Sequence, residues 1–522
     1  MGENEGLAFD SGPGRWVLAV AVLGSGMAFL DGTVVNVALP DIGRDLDAST
    51  SSLQWILNGY LLTLASLILL GGSLGDRLGR RRIFVLGVAL FTGASLLCAI
   101  APNVEMLIFA RLLQGIGGAL LTPGSLAMIE ASFRPGDRGR AIGAWSGLGG
   151  IAAAIGPLLG GYLVEAISWR AIFLINLPLG LLVIAMAGRH VPETRDPMAT
   201  GRLDFAGAAL AGLGLAGTTY ALIEAPGQGA SAAILLSGLG GLAALVAFLW
   251  TENRSPNPMM PLQIFASRQF SAANVVTFVV YAALSGVFFL LVAFLQVSLG
   301  YSPVAAGAAS LPVTALMLAF SARSGALAQR IGPRIPLTIG PLLIAAGLLL
   351  MTRIEPGDAY VTGVLPSIFV YGVGLTFVVA PVTATVMAAA DARHSGIASG
   401  INNAVARVGG LLAVAVLPLA VGLPGDSFYD PDAMTDGFHM AMAICAALAA
   451  SGGVLAWFTI SSDVLETTPA VGGDTPDRAA TDYACGVTGT PLRPGREAQC
   501  EPTDEHELPR VAVGVGAGGD DG

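Results

Sequence analysis

The chain of 522 residues contains no lysine: all 26 of its basic residues are arginine. A nucleotide-cradling loop of the Gly-x-x-x-x-Gly-Lys type is therefore excluded, and with it ATP-driven pumping by a P-loop in this chain. Histidine is nearly absent as well. His190, His394, His439 and His506 are scattered without metal-ligand spacing, so neither a metal centre nor a metal-dependent membrane enzyme is indicated. Cys98 and Cys445 fall in apolar runs and Cys485 and Cys500 lie in the C-terminal tail, which provides no disulfide framework. Charge is scarce throughout. Only 12% of residues are charged, against roughly 25% in soluble proteins. No cofactor is called for, and no basic surface is available for nucleic acid.

What is present is apolar length. Hydrophobic residues make up 54% of the chain and mean hydropathy is +0.72, the composition of an integral membrane protein. A span needs roughly 20 apolar residues, and such runs are predicted at about 16–39, 53–72, 83–101, 104–129, 141–163, 170–188, 205–223, 233–251, 271–296, 304–323, 336–353, 360–384, 399–421 and 438–460. The first residues carry Glu3, Glu5 and Asp10, unlike the basic start of a cleavable signal. Arginine alternates between the loops. Sixteen, from Arg77 to Arg393, fall on one side, and only Arg44, Arg170 and Arg353 on the other. The positive-inside rule then predicts both termini in the cytoplasm. The net charge of −10 comes mostly from residues 461–522, where twelve acids face four arginines. That tail is expected to be disordered.

Residues 72–84, Gly-Ser-Leu-Gly-Asp-Arg-Leu-Gly-Arg-Arg-Arg-Ile-Phe, read as a tight cytoplasmic loop between spans 2 and 3. Gly75 and Gly79 permit a tight backbone path, and Asp76 can accept from arginine or from a helix N-terminus. A degraded copy lies 253 residues on, at 325–337, where Gln329 stands in place of the acid. The copy joins spans 10 and 11, not 8 and 9. Two spans are thus inserted between two related halves, which gives an expected layout of a cytoplasmic segment at 1–15, a six-helix half at 16–188, a linker with two inserted helices at 189–270, a second six-helix half at 271–460, and a tail at 461–522. Repeated halves with a substrate path between them are a common plan of secondary transporters.

Three charges fall inside spans. Asp31 continues the run Ala21–Leu30 without a break and lies roughly 20 Å along its helix at ~1.5 Å per residue. An acid there is costly to ionise unless it is paired or wetted, which suits a proton carrier and equally suits a structural acid paired with arginine. Arg111, permanently charged, can bias a nearby carboxylate or tie helices together through carbonyls. Arg407 is a further candidate. Span 5 contains Gly150, Gly156, Pro157, Gly160 and Gly161, small residues for close approach and a proline for a bend.

Together these stretches resemble the major facilitator superfamily, in its fourteen-spanner drug:proton antiporter branch, over about residues 15–460. Residues 72–84 are similar to that family's loop motif between helices 2 and 3. Leu30–Pro40 is similar to the branch's helix 1 signature, 107–119 to the helix 4 motif with its proton-linked arginine, and 147–161 to the helix 5 antiporter motif. Trp169–Gly180 is similar to the entry to helix 6. The resemblance implies an all-α fold and a monomeric exporter, not an enzyme, that moves a lipophilic drug, antibiotic or related metabolite across the cytoplasmic membrane in exchange for protons. Asp31 and Arg111 would couple the proton, and Gly72, Gly75, Asp76, Arg77, Gly79, Arg80 and Arg81 would form a conformational latch. No acid lies deep within spans 9 to 13, which disfavours dications. Uptake through the same fold and a transport-dead sensor are the alternatives.

Overall fold

In a computed structural model, residues 6–196, 203–229, 231–390, 395–423 and 425–465 are described. The expected tail lies outside them beyond residue 465. The described residues are almost entirely helical. In order the helices are α1 (Gly12–Asp45), α2 (Thr50–Leu78), α3 (Arg80–Ala99), α4 (Val104–Ser132), α5 (Pro135–Ala166), α6 (Ala171–Leu174), α7 (Asn176–His190), α8 (Phe205–Gln228) and α9 (Ala232–Arg254), then α10 (Arg268–Val297), α11 (Pro303–Ala309), α12 (Leu311–Ile331), α13 (Arg334–Met351), α14 (Leu365–Ala388), α15 (Ser395–Ala420) and α16 (Pro431–Thr459). They make fourteen helical segments long and apolar enough to cross a membrane, the number expected. The sixth is α6 continued by α7, the tenth is α11 continued by α12, and the twelfth begins with a wider turn at Tyr360–Val364 before α14.

Local chemistry sets many of the helix starts. Ser11, Ser49, Asn103, Ser231, Ser267, Ser302 and Asp430 each accept a hydrogen bond from a first-turn amide, filling a donor that no carbonyl of the helix can reach. Several helices outrun the predicted spans; α1 extends from residue 12 to residue 45. Hydropathy marks the hydrocarbon-spanning part only, whereas capped ends continue into the polar region.

One apolar core runs through both halves at the end of the bundle that holds Asp45 and Tyr429. Val34, Leu39 and Ile42 of α1 join Val280, Leu290 and Phe294 of α10 and Phe438 of α16. Side chains also cross there onto backbone carbonyls: Gln54 donates to Val414 (2.7 Å) and Ala415 (3.1 Å), Gln296 to Val37 (2.9 Å), and the Tyr429 hydroxyl to Ala48 (2.9 Å). Toward the end that holds the N-terminus the cores are separate. One, around Phe84, Phe91, Met128 and Phe133, belongs to the first half, and a smaller one, around Phe270, Val386 and Ile401, to the second, with Leu69 and Ala404 at their margins. The largest core shared by the halves therefore lies at that end, while α2 and α15 also join them farther along, where Leu62 and Ala65 pack with Leu411.

The inserted helices α8 and α9 pack on each other through Gly214, Gly217 and Gly241. α8 also lies on α2, where the Trp55 indole donates to Glu224 (2.9 Å). Leu236, Leu239, Val246 and Trp250 of α9 are exposed, as befits a face turned to lipid.

Candidate functional site: a buried ion pair and two turns

Asp31 of α1 and Arg111 of α4 meet in the first half. Their side chains are 0% and 1% exposed, and Arg111 Nη1 donates to Asp31 Oδ2 at 2.5 Å. Five helices hold the pair. Arg111 Nη1 also donates to Gln114 Oε1 (2.6 Å), and its Nε donates to the Ile56 carbonyl of α2 (3.0 Å). The guanidinium lies over the Tyr60 ring at 4.5 Å and near that of Phe173 at 5.9 Å, a favourable placement for a cation. Asp31 Oδ1 accepts from Gln114 Nε2 (2.7 Å) and, at 3.4 Å, from Asn176 Nδ2 of α7. Both amides also donate to Ser95 Oγ of α3, at 2.9 and 3.2 Å.

This geometry has a chemical consequence. A buried charge must be paired and hydrogen-bonded, and here each partner is. Arg111 keeps two acceptors, Gln114 Oε1 and the Ile56 carbonyl, that do not depend on the charge of Asp31. Protonation of Asp31 would leave the guanidinium bonded, although no longer neutralised. Sequence reading named Asp31 and Arg111 and missed Ser95, Gln114 and Asn176. Gln114 was within reach, since three residues after Arg111 is the same helix face. Ser95 and Asn176 gave no signal beyond being polar in apolar runs.

The stretch 72–84 is not the loop expected. α2 runs through Gly72, Gly75, Asp76 and Arg77 to Leu78, and α3 starts at Arg80. Only Gly79 intervenes, at φ 120°, where a side chain would be strained. Asp76 pairs with Arg80 at 2.8 Å, one helical turn apart across Gly79. The strand of chain leaving α7 clasps this turn. Arg80 N donates to the Thr194 carbonyl (2.9 Å), Asp196 N to the Asp76 carbonyl (2.9 Å), Arg81 N to Glu193 Oε1 (3.1 Å) and Arg81 Nη1 to the Val191 carbonyl (3.0 Å). Glu193 also lies 3.6 Å from Arg81 and from Arg82. A Cβ on Gly79 would come within 2.6 Å of Glu193 Oε1, so a side chain there would displace the Glu193 carboxylate from the turn as well as strain φ. The downstream copy is built alike. α12 ends at Ile331, Gly332 has φ 81°, and a Cβ there would strike the Ser462 carbonyl in the chain leaving α16. Each repeat thus closes its second-to-third-helix turn with the segment that follows its last helix. Sequence alone marked 191–196 only as a polar boundary.

In α5, Gly156 and Gly160 abut Thr33 and Val34 of α1, and Thr33 Oγ1 donates to the Ala153 carbonyl (3.1 Å). Gly161 meets the backbone of Pro303 and Val304, and Gly307 in turn meets the Pro157 carbonyl. Glu165 accepts from Val304 N (3.2 Å) at the start of α11. This part of α5 therefore touches both α1 of its own half and α11 of the other. Gly150 differs from the rest of that motif: like Gly136, Gly139, Gly143 and Gly147, it has open space where a Cβ would stand.

Arg407 is not part of the Asp31–Arg111 cluster. It sits halfway along α15, half-buried, with no hydrogen bond or ion pair among the described residues.

Two repeated helical halves, an inserted hairpin and a dry ion pair inside one half define a polytopic membrane protein of the two-halved transporter class. Residues 21–414 match the model of the Major Facilitator Superfamily, and the chain belongs to that family. It is 38% identical over 468 residues to a puromycin resistance protein of Streptomyces alboniger, covering 86% of this chain and 92% of the relative. It is likewise 38% identical over 424 residues to the tetracenomycin C resistance and export protein of Streptomyces glaucescens, covering 80% and 78%. The fold is also that of the crystallised peptide transporter POT, with TM-score 0.62 at 17% identity and coverage of 87% and 95%.

Proposed function

We propose that the chain exports a lipophilic small molecule, of the drug or antibiotic kind, across the cytoplasmic membrane in exchange for protons. The observation that carries the reading is the buried Asp31–Arg111 pair, in which the arginine keeps acceptors of its own when the acid is neutralised. Such an acid can take a proton without stranding its partner, the property an exchange site needs. Relatives at 38% identity named for antibiotic resistance and export support the substrate class.

The arginine asymmetry supports a cytoplasmic position for both termini. The end at which the halves share a core is then the outer one, and the state described is closed outside. Alternating access would exchange that seal for one on the cytoplasmic side. In this scheme Gly156, Pro157, Gly160 and Gly161 form part of the outer seal, and residues 72–84 with their clasp latch the first half. The two inserted helices act as a peripheral prop between the halves, and the transporter works as a monomer in lipid.

Inside-out vesicles, acidified within, test the reading with a panel of fluorescent lipophiles. Uphill dye entry that collapses with the pH gradient and is absent from Asp31→Asn is expected. Entry that persists unchanged in Asp31→Asn would remove the acid from the mechanism.

A further inference from the structure

Arg407 stands twelve residues from the start of α15 at Ser395 and thirteen from its end at Ala420. At ~1.5 Å per residue that is about 18 Å from either end, further than its side chain can snorkel. It is a permanent charge at mid-depth. Its helix face is turned to the first half: Ala404 packs on the core around Phe84 and Tyr60, and Val408 and Leu411 pack with Leu61 and Leu62 of α2. Tyr60 is the same ring that carries Arg111 on its face.

The two intramembrane arginines, Arg111 and Arg407, differ in their partners. Arg111 is neutralised by Asp31. Arg407 has no carboxylate within ion-pair distance and no hydrogen bond among the described residues, and it is only half-buried. Among the described residues, the middle of the interface between the halves therefore carries one positive charge without a counter-charge. A mid-membrane cation held without a counter-ion is costly unless something supplies one. We propose that the transported molecule supplies it: Arg407 is the subsite for an acidic group, a carboxylate or phenolate, on an aromatic or otherwise apolar body that enters between α15 and the first half. The planar guanidinium fork suits such an oxyanion better than a lysine would. This rests on the exporter reading and narrows its substrate to lipophilic acids. It also suits the energetics, because an anion leaving and a proton entering both move charge down an inside-negative potential.

Fluorescein and rhodamine 123 share a xanthene skeleton and differ in charge, one anionic and one cationic. Binding of each to the full chain in nanodiscs of zwitterionic lipid is read by anisotropy, and gradient-driven movement is read in proteoliposomes. The wild type is expected to bind fluorescein the more tightly. Arg407→Gln is expected to weaken fluorescein binding tenfold or more while leaving rhodamine binding equal or stronger, which also reports that the variant is folded. Arg407→Lys is expected to fall between. Preference of the wild type for rhodamine, or fluorescein binding unchanged in Arg407→Gln, would overturn the proposal. Arg407-dependent fluorescein binding without gradient-driven movement would uphold the acidic subsite and instead refute proton-coupled export.

Discussion

Replacing Asp31 by Asn is the sharpest perturbation of the buried cluster, because it keeps the shape of the side chain while removing its charge and turning the oxygen that faces Arg111 into an amide donor. The amide oxygen can still accept from Gln114 and Asn176, but Arg111, 1% exposed, is left with no counter-ion. Removing one member of a buried pair costs about 3–5 kcal/mol. The Gln114 and Ile56 acceptors that Arg111 retains, together with the Tyr60 face, place the loss near the lower end, about 3 kcal/mol, a change of about 100-fold in the folded-to-unfolded ratio. Arg111→Gln leaves the carboxylate unpaired and should cost a similar amount. The double variant removes both charges, so it should be less destabilised than the sum of the singles by about 2–3 kcal/mol. Unfolding of the purified protein in mixed micelles, followed for wild type, both singles and the double, measures this coupling. Additivity within about 0.5 kcal/mol would show that the two groups do not support one another. Transport by the same four proteins separates stability from function. A double variant that is folded and still moves substrate with the pH gradient would show the pair to be structural only.

Gly161→Leu should force α5 away from Pro303 and Val304, since even a Cβ there meets backbone; overpacking costs about 1–3 kcal/mol. Opening of the sealed end is expected, read as increased labelling by a membrane-impermeant thiol reagent of a cysteine placed at Ala306, which is buried in α11. Glu193→Gln removes the charge that faces Arg81 and Arg82 while keeping an acceptor for Arg81 N. Half-exposed pairs are worth about 0–1 kcal/mol, so thermal stability should barely move while the rate of dye movement falls several-fold; an unchanged rate would argue against the latch. Gly79→Ala faces both a positive φ and the Glu193 carboxylate. It should lower stability by about 1–3 kcal/mol, and pairing it with Glu193→Ala should recover part of that loss in the same unfolding assay.

Much of the molecule is written in local chemistry. Number and placement of spans follow from runs of apolar residues, because in lipid every backbone group must be satisfied within its own helix and length alone decides what can cross. The repeat at 72–84 and 325–337 was visible in glycine and arginine positions. What those glycines do was not: the turns are single residues, Gly79 and Gly332, each covered by chain from the far end of its own half. Glu193 lies 112 positions from the amide it accepts from, a pairing that no local pattern encodes.

The absence of lysine, the scarcity of charge and the placement of Asp31, Arg111 and Arg407 inside apolar runs were settled by sequence alone, since each is a property of a residue and its immediate neighbours. Which charge meets which was settled only by tertiary packing. Asp31 is 80 positions from Arg111 and 145 from Asn176, and five helices must pack before the acid has its partners. The same packing brings no partner to Arg407 among the described residues. Helix formation satisfies the backbone of each span in isolation, but a charged side chain in a membrane can be satisfied only by another helix, and the choice among helices belongs to the assembled fold.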